Sequence, residues 1–307
     1  MENHLNAKNL LLPLWLVTAA VVTLCSCEQP FLDTPPAEPA SSGEVDITLH
    51  CVPYVQEPFG ADAAALAPTR SAQEITSLCS RLNIAVFGND GAKVKTVSQK
   101  AGDANYGTVH LSLPQGSYKL VVIAHNCDGA ATITSTDKVT FPNNKVSDTF
   151  HYYGVLEVGS QSQSFELSLT RVVAMFRLKM TDTDVPSSLS KLKFYYLGGS
   201  STFSPSAGYG IVQSKQTELR SPAADGVYEI YTMPHTEDDV LTKVTVTALD
   251  AADNVIGERV FEDVPVSRDH ITSYSGTFFT AGGGVSSSGD LLMTAKAEWG
   301  GITEHDF

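Results

Sequence analysis

Positive charge is scarce in this chain. Its 307 residues carry 20 Lys and Arg against 34 Asp and Glu, a formal net charge of −14. A surface of that sign repels phosphate backbones, so nucleic acid is excluded as an expected partner, and the excess acid serves solubility. Cysteine is also sparse: there are five, with no CxxC pair and no zinc-type Cys/His spacing. The HExxH, P-loop, GxSxG and EF-hand patterns are absent. The expectation is therefore no enzyme, no cofactor and no metal. Thr181–Asp184 and Glu237–Asp239 carry carboxylates but lack the further oxygen donors and the glycine of a calcium loop, and read as solvated turns. His50, His110 and His125 stand apart from one another and are expected to line strand faces. No apolar run reaches the roughly 20 residues of a spanning helix.

What is present begins at the N-terminus. Lys8 precedes an apolar run from Leu10 to Leu24, broken by Pro13, Thr18 and Thr23. Its length suits the core of a signal peptide, about 7–15 residues. A lipoprotein signal peptidase requires an aliphatic residue three before the cut, a small residue before it and cysteine after it. Leu24, Ser26 and Cys27 meet all three demands, whereas Cys25 would place Leu24 where the small residue belongs. Residues 1–26 thus read as a signal, cleaved between Ser26 and Cys27, with lipid on the Cys27 thiol. Each buried methylene contributes about 0.8 kcal/mol, so several acyl chains hold a protein at a bilayer almost permanently. Residues 27–43 include Pro30, Pro35, Pro36 and Pro39 and read as an extended lipidated tether. Cys51, Cys79 and Cys127 remain; three thiols allow at most one disulfide, and burial as small apolar groups is an equal alternative.

Hydrophobic residues make up 42% of the chain, enough for sizeable cores. Their pattern is that of strands: Val45, Ile47, Leu49 and Cys51 alternate with polar neighbours, as do Leu82 to Val86, Val109 to Leu113 and Tyr118 to Ala124. Further runs lie at 165–169, 172–180, 192–197, 227–231, 240–249, 255–261, 271–280 and 291–299. Turn residues separate them every eight to twelve positions, the spacing of β-sandwiches. One helix is expected, short, opened by a capping box at Ser71–Glu74 with Ile75, Leu78 and Leu82 on one face. The fold class is all-β, with one sandwich over residues 44–160 and a second over 161–307, divided at the polar stretch Gly159–Gln163. The aromatic pairs Tyr152–Tyr153, Tyr195–Tyr196 and Phe278–Phe279 place one ring on each sheet face. Outward rings, with Trp299, form the basis of an alternative reading as a surface glycan-binding lipoprotein; packing is the expected use.

Four segments together resemble the FimB-type fimbrial anchor family, lipoproteins of Bacteroidales. They are the lipobox at Leu24–Cys27, the strand and turn Leu82–Gly91, the turn and strand Leu113–Asn126, and the stretch Leu169–Phe176. The resemblance implies tandem transthyretin-like, Greek-key β-sandwiches. It also implies attachment of a fimbrium to the outer membrane, through the lipid and exposed to the surface, with a shaft subunit as partner, seated by strand exchange. An anchor keeps its first strand. Cleavage after Arg70 would instead remove lipid, tether and first strand, as maturation of a polymerising shaft, minor or tip subunit requires. Arg171 reads as a structural residue at a sandwich entry, bound to carbonyls or a carboxylate. The C-terminal end, 281–307, has no counterpart in the resemblance and is open as a donor strand, an edge strand or an addition.

Overall fold

The computed structural model describes residues 43–56, 70–72, 74–279 and 301–307. The first half supplies β1 (Glu44–Gln56), β2 (Arg70–Ala72), a single helical turn α1 (Ile75–Leu78), β3 (Arg81–Phe87), β4 (Lys93–Lys100) and β5 (Thr108–Pro114). It continues with β6 (Gly116–His125), β7 (Thr132–Ser135), β8 (Lys138–Thr140), β9 (Thr149–Val158) and β10 (Gln163–Arg171). The second half supplies β11 (Ala174–Met180), β12 (Lys191–Gly198), β13 (Thr202–Ser204), β14 (Tyr209–Gly210) and β15 (Lys215–Arg220). It ends with β16 (Val227–Thr232), β17 (Asp239–Leu249), β18 (Val255–Val266), β19 (His270–Gly276) and β20 (Gly301–Asp306). The all-β class expected from the alternation is the one observed. Leu291–Trp299, expected as a strand, lies outside the described residues.

The first eight-stranded sheet folds over on itself. β5 and β2 on one side of β1, with β10 on its other side, make one layer, β9, β6, β3 and β4 the other, and the two join where Thr170 and Arg171 pair with His151 and Phe150. Period-two alternation decides the packing: Val45, Ile47, Leu49 and Cys51 of β1 meet Leu82, Ile84 and Val86 of β3 and Leu120, Val122 and Ala124 of β6 in the first core. The central strands β3 and β6 bury both faces, which is why their sequences are nearly continuous apolar runs. Their outer residues Ala85, Phe87, Val121 and Ile123 belong to a second core with Val172, Val173, Met175, Phe203 and Met233 from the second half. A small sheet covers it, in the order β14, β13, β8, β7, so that each half contributes two of its four strands. The third core lies between the sheet β16, β11, β19, β20 and the sheet β15, β12, β17, β18, around Phe176, Phe194, Tyr196, Val244, Val246 and Phe261.

Two local expectations need correcting. The capping box does not form: Ser71 is in β2, the turn is capped at Glu74 with no side-chain bond, and Leu82 belongs to β3 rather than to the helix face. Pairing of residues 70–72 with the end of β1 outcompetes the helix start, because three register pairs replace a single capped turn. The stretch at 172–180 also starts later as a strand, at Ala174, because Val172 and Val173 turn into the second core. The hydrogen bonding of the first sheet runs past residue 160 through all of β10, and the chain leaves it at Val172.

A buried polar network fixes the end of β6. Asn83 Oδ1 accepts from the Ala131 N–H at 2.9 Å and lies 3.0 Å from His125 Nε2. His125 Nδ1 accepts from the Cys127 N–H at 3.0 Å. The ring is thereby held neutral with its proton on Nε2, and burial, followed by the nearby Arg81 charge, drops its pKa from 6.5 to about 4.

Candidate functional site at the first strand

β1 is the element that joins the fold to the expected tether, and it occupies the middle of its layer. It pairs with β10 in parallel over eight positions, from Ile47 with Gln163 to Tyr54 with Thr170. On its other side it pairs antiparallel with β5 over seven positions, from Glu44 with Pro114 to His50 with Thr108, and then with β2 from Tyr54 to Gln56. Ile47 and Leu49 are 1% and 0% exposed, so the strand is part of the core and not a strip laid against it.

The outward face carries a cross-strand ladder. Ser112 Oγ donates to Asp46 Oδ1 at 2.7 Å, Thr48 Oγ1 lies 3.0 Å from His110 Nδ1, and His50 Nδ1 lies 3.2 Å from Thr108 Oγ1. Each pair is a direct cross-strand neighbour, so the side chains reinforce the register that the backbone sets. A cleft of about 490 Å³ runs beside it, lined by Asp46, Ile47, His110, Leu111 and Ser112 with Lys95 of β4 opposite. At the far end of β1 a second hollow of about 390 Å³ is bounded by Cys51, Ile75, Tyr106 and Gly107. Gly107 has φ +93°, and a Cβ there would lie 2.7 Å from Ile75 Cγ2, so the turn entering β5 needs glycine twice over.

The residues singled out in the sequence fall as follows. Ser26 and Cys27 lie outside the described residues. Arg70 begins β2, its backbone opposite Gln56. Cys51, Cys79 and Cys127 are all buried free thiols, so the disulfide alternative is not used. Burial pushes the Cys51 thiol up to about 12 and raises those of Cys79 and Cys127 as well. Asp182 accepts the N–H groups of Phe278 and Phe279, both at 2.6 Å, and Asp239 accepts from both the N–H and the ring of His235. Those carboxylates tie turns together. Tyr152 packs on the first core and Tyr153 on the second, while Tyr196 is buried between sheets with its hydroxyl donating to Glu218 at 2.7 Å. Tyr152 and Tyr195 stand on different sheets and do not form one aromatic face.

Arg171 is more than an entry residue. Its guanidinium binds Asp148 through Nε and Nη2 at 2.8 and 3.1 Å and Asp269 through Nη1 at 2.8 Å, and stacks 4.7 Å above the Phe150 ring. Its side chain is 2% exposed. Burial by itself would lower the arginine's pKa, but the two carboxylates outweigh it and hold the charge in place. Asp148 belongs to the first half and Asp269 to the second, so one cation clamps both. Asp148 and Asp269 carried no sequence signal; only the fold brings them 121 positions together.

What the site offers chemically is backbone pairing. The family model of the fimbrillin-A associated anchor proteins Mfa1 and Mfa2 matches residues 59–296. The chain belongs to this family. Its role is accordingly that of a fimbrial anchor protein, a structural protein associated with the cell surface, in a family that works with other fimbrial subunits. No curated protein matches the chain. Solved structures similar to the fold include an adhesin from Bacteroides ovatus (13% identity, 71% of this chain and 78% of the other, TM-score 0.46). A fimbrial assembly protein from Parabacteroides distasonis matches at 11% identity over 76% and 91%, with TM-score 0.41. The fimbrial anchor protein Mfa2 from Porphyromonas gingivalis matches at 10% over 70% and 81%, with TM-score 0.37. At scores under 0.5 these likenesses carry no functional weight.

Proposed function

We propose that this anchor-family chain is held in the outer membrane by acyl chains on Cys27 and seats the first shaft subunit of a fimbrium by strand complementation. The observation that carries the reading is the position of β1. It is hydrogen-bonded on both sides and buried at Ile47 and Leu49, and its N-terminal end leads back toward Cys27. Load on the fimbrium then reaches the lipid through two ladders loaded along the strand, which must shear together. The receiving edge for the shaft strand is an open one such as β4, which among the described residues pairs with β3 alone. The domain division that fits this reading falls at Val172, after β10, with the small mixed sheet bridging the two sandwiches.

The test is the mature N-terminus of protein extracted from the outer membrane. Lipidated Cys27 by mass spectrometry, with Cys27→Ala shifting the protein out of the membrane fraction, is the expected result. Ser71 as first residue overturns the anchor reading in favour of a polymerising shaft or tip subunit matured after Arg70.

A further inference from the structure

Lysine gathers on one face of the second half. In the sheet β15, β12, β17, β18, the side chains of Phe194, Tyr196, Val244 and Val246 enter the third core, so the residues between them face away from it. Register arranges that outer face in three rows across the four strands. The first is Leu219, Lys193, Thr247, Glu258, the second Thr217, Tyr195, Thr245, Val260, and the third Lys215, Leu197, Lys243, Glu262. On β15, β12 and β17 these rows hold three lysines and no acid; both glutamates stand on β18.

Lysine on a sheet often guards an edge against pairing. That use does not cover Lys193 and Lys243, because β12 and β17 are the two central strands. Nor are the lysines spent on neighbours. Lys193, Lys215 and Lys243 form no ion pair among the described residues, although Glu262 is the register partner of Lys243. Glu258 accepts instead from Thr247 Oγ1 at 3.0 Å. The net charge of −14 does not cancel this patch, since at physiological salt an exposed charge is felt over only about 8 Å.

Between the lysine rows lies Tyr195, half-buried, with Thr217 and Thr245 as its direct cross-strand neighbours. None of their three hydroxyls makes a hydrogen bond among the described residues. Strand spacing sets the backbones of Lys215 and Lys243 about 10 Å apart across the sheet, and Lys193 about 13 Å along it, with Tyr195 in between. Separated point charges around a ring and free hydroxyls match a ligand built the same way. A protein partner would need an apolar, aromatic-rich centre, which the middle row lacks. A lipid surface would use the charge and leave the ring and hydroxyls idle.

We infer that the outer face of β15, β12 and β17 binds an acidic polysaccharide bearing uronate carboxylates. Lys193, Lys215 and Lys243 meet the carboxylates, and Tyr195 stacks beneath a sugar ring, whose slightly positive C–H groups settle on the negative face of the aromatic. Each contact is exposed and weak, so affinity is sensitive to salt and builds up over several sugar units. This site stands apart from β1 and does not rest on seating a shaft subunit.

The experiment is calorimetric titration of the full-length protein with a hexamer of galacturonate at low and high salt. Wild type should bind, and more weakly at high salt. Lys193→Gln with Lys243→Gln should lose about fivefold or more, and Tyr195→Ala about fivefold. Lys95→Gln with Lys100→Gln removes the same charge from β4 and should bind as wild type does. Neutral maltohexaose and a peptide of six glutamates should bind far more weakly than the uronate. No binding by wild type, an undiminished affinity in the Lys193 and Lys243 variant, or an equal loss in the β4 variant overturns the inference. So does equal affinity for maltohexaose or for the glutamate peptide, or tighter binding to phosphatidylglycerol vesicles. Should Tyr195→Ala fail to fold, the glutamate peptide decides between sugar recognition and charge alone.

Discussion

Replacing Arg171 with alanine should be among the most damaging single changes in the protein. The substitution removes the cation from a site where its side chain is 2% exposed and leaves Asp148 and Asp269, 16% and 21% exposed, facing each other. Breaking a buried pair by deleting one partner costs about 3–5 kcal/mol, because the remaining charge has lost its solvation and its counter-ion. Here two carboxylates are abandoned and the Phe150 stacking is lost as well, so about 4 kcal/mol or more is expected against a total of roughly 5–15. Urea unfolding at pH 7.5 measures it as a fall in midpoint at unchanged slope. A second signature separates charge from packing. In the variant Asp148, whose carboxyl is already raised by burial, loses the guanidinium that partly lowered it and rises further above its unfolded value. The folded state then binds more protons than the unfolded, and its deficit relative to wild type shrinks as pH falls through that raised range. A loss under about 1 kcal/mol at pH 7.5, or a deficit that is flat with pH, would refute the account of the clamp.

Other outcomes follow from the same packing. His125 and His151 both titrate near 4 when folded against 6.5 ordinarily, because burial disfavours their charged forms. The unfolded chain binds more protons between those values, so stability should be level above pH 6.5, fall as pH drops to about 4, and level off below. Each histidine contributes about 3 kcal/mol over that window, to be read from urea midpoints at pH 7.5 and 4.5; a flat profile counts against neutral burial. Phe203→Ala empties a site that is 0% exposed between the halves and should cost about 3–5 kcal/mol; a near-neutral effect in thermal melts would show that the second core is not closed. Cys51, Cys79 and Cys127 should resist a thiol reagent in the folded protein and react in denaturant, and prompt native labelling would contradict their burial.

Much of this architecture is legible in the residues because the alternation is strict. Leu82, Ile84 and Val86 and the run Tyr118–Ala124 could only be buried strands, and Gly88–Gly91 only a tight turn. β4 escapes such reading, since Lys93–Lys100 is largely exposed on both faces and carries no apolar period. β20 escapes because Gly301–Asp306 carries no apolar period, and β7, β8, β13 and β14 because strands of two to four residues are too short to show one. The capping box at Ser71 shows the opposite failure, a sound local signal overridden by Val55, a neighbour 16 positions away in sequence. In the candidate site, inward burial of Val45 to Cys51 could be read from periodicity. The parallel pairing of β1 with β10 could not, because nothing local records which distant strand lies alongside.

The mixed four-stranded sheet has a practical consequence for anyone dissecting this protein. Strands β7 and β8 sit on one side of any midpoint cut and β13 and β14 on the other. A fragment ending near residue 172 would present Val139 and Phe141 to solvent, and its complement would present Phe203 and Met233. Each piece should therefore be sticky and poorly behaved by itself, and the pair co-expressed should find each other. The two sandwiches are better regarded as one casting with a seam than as beads on a string.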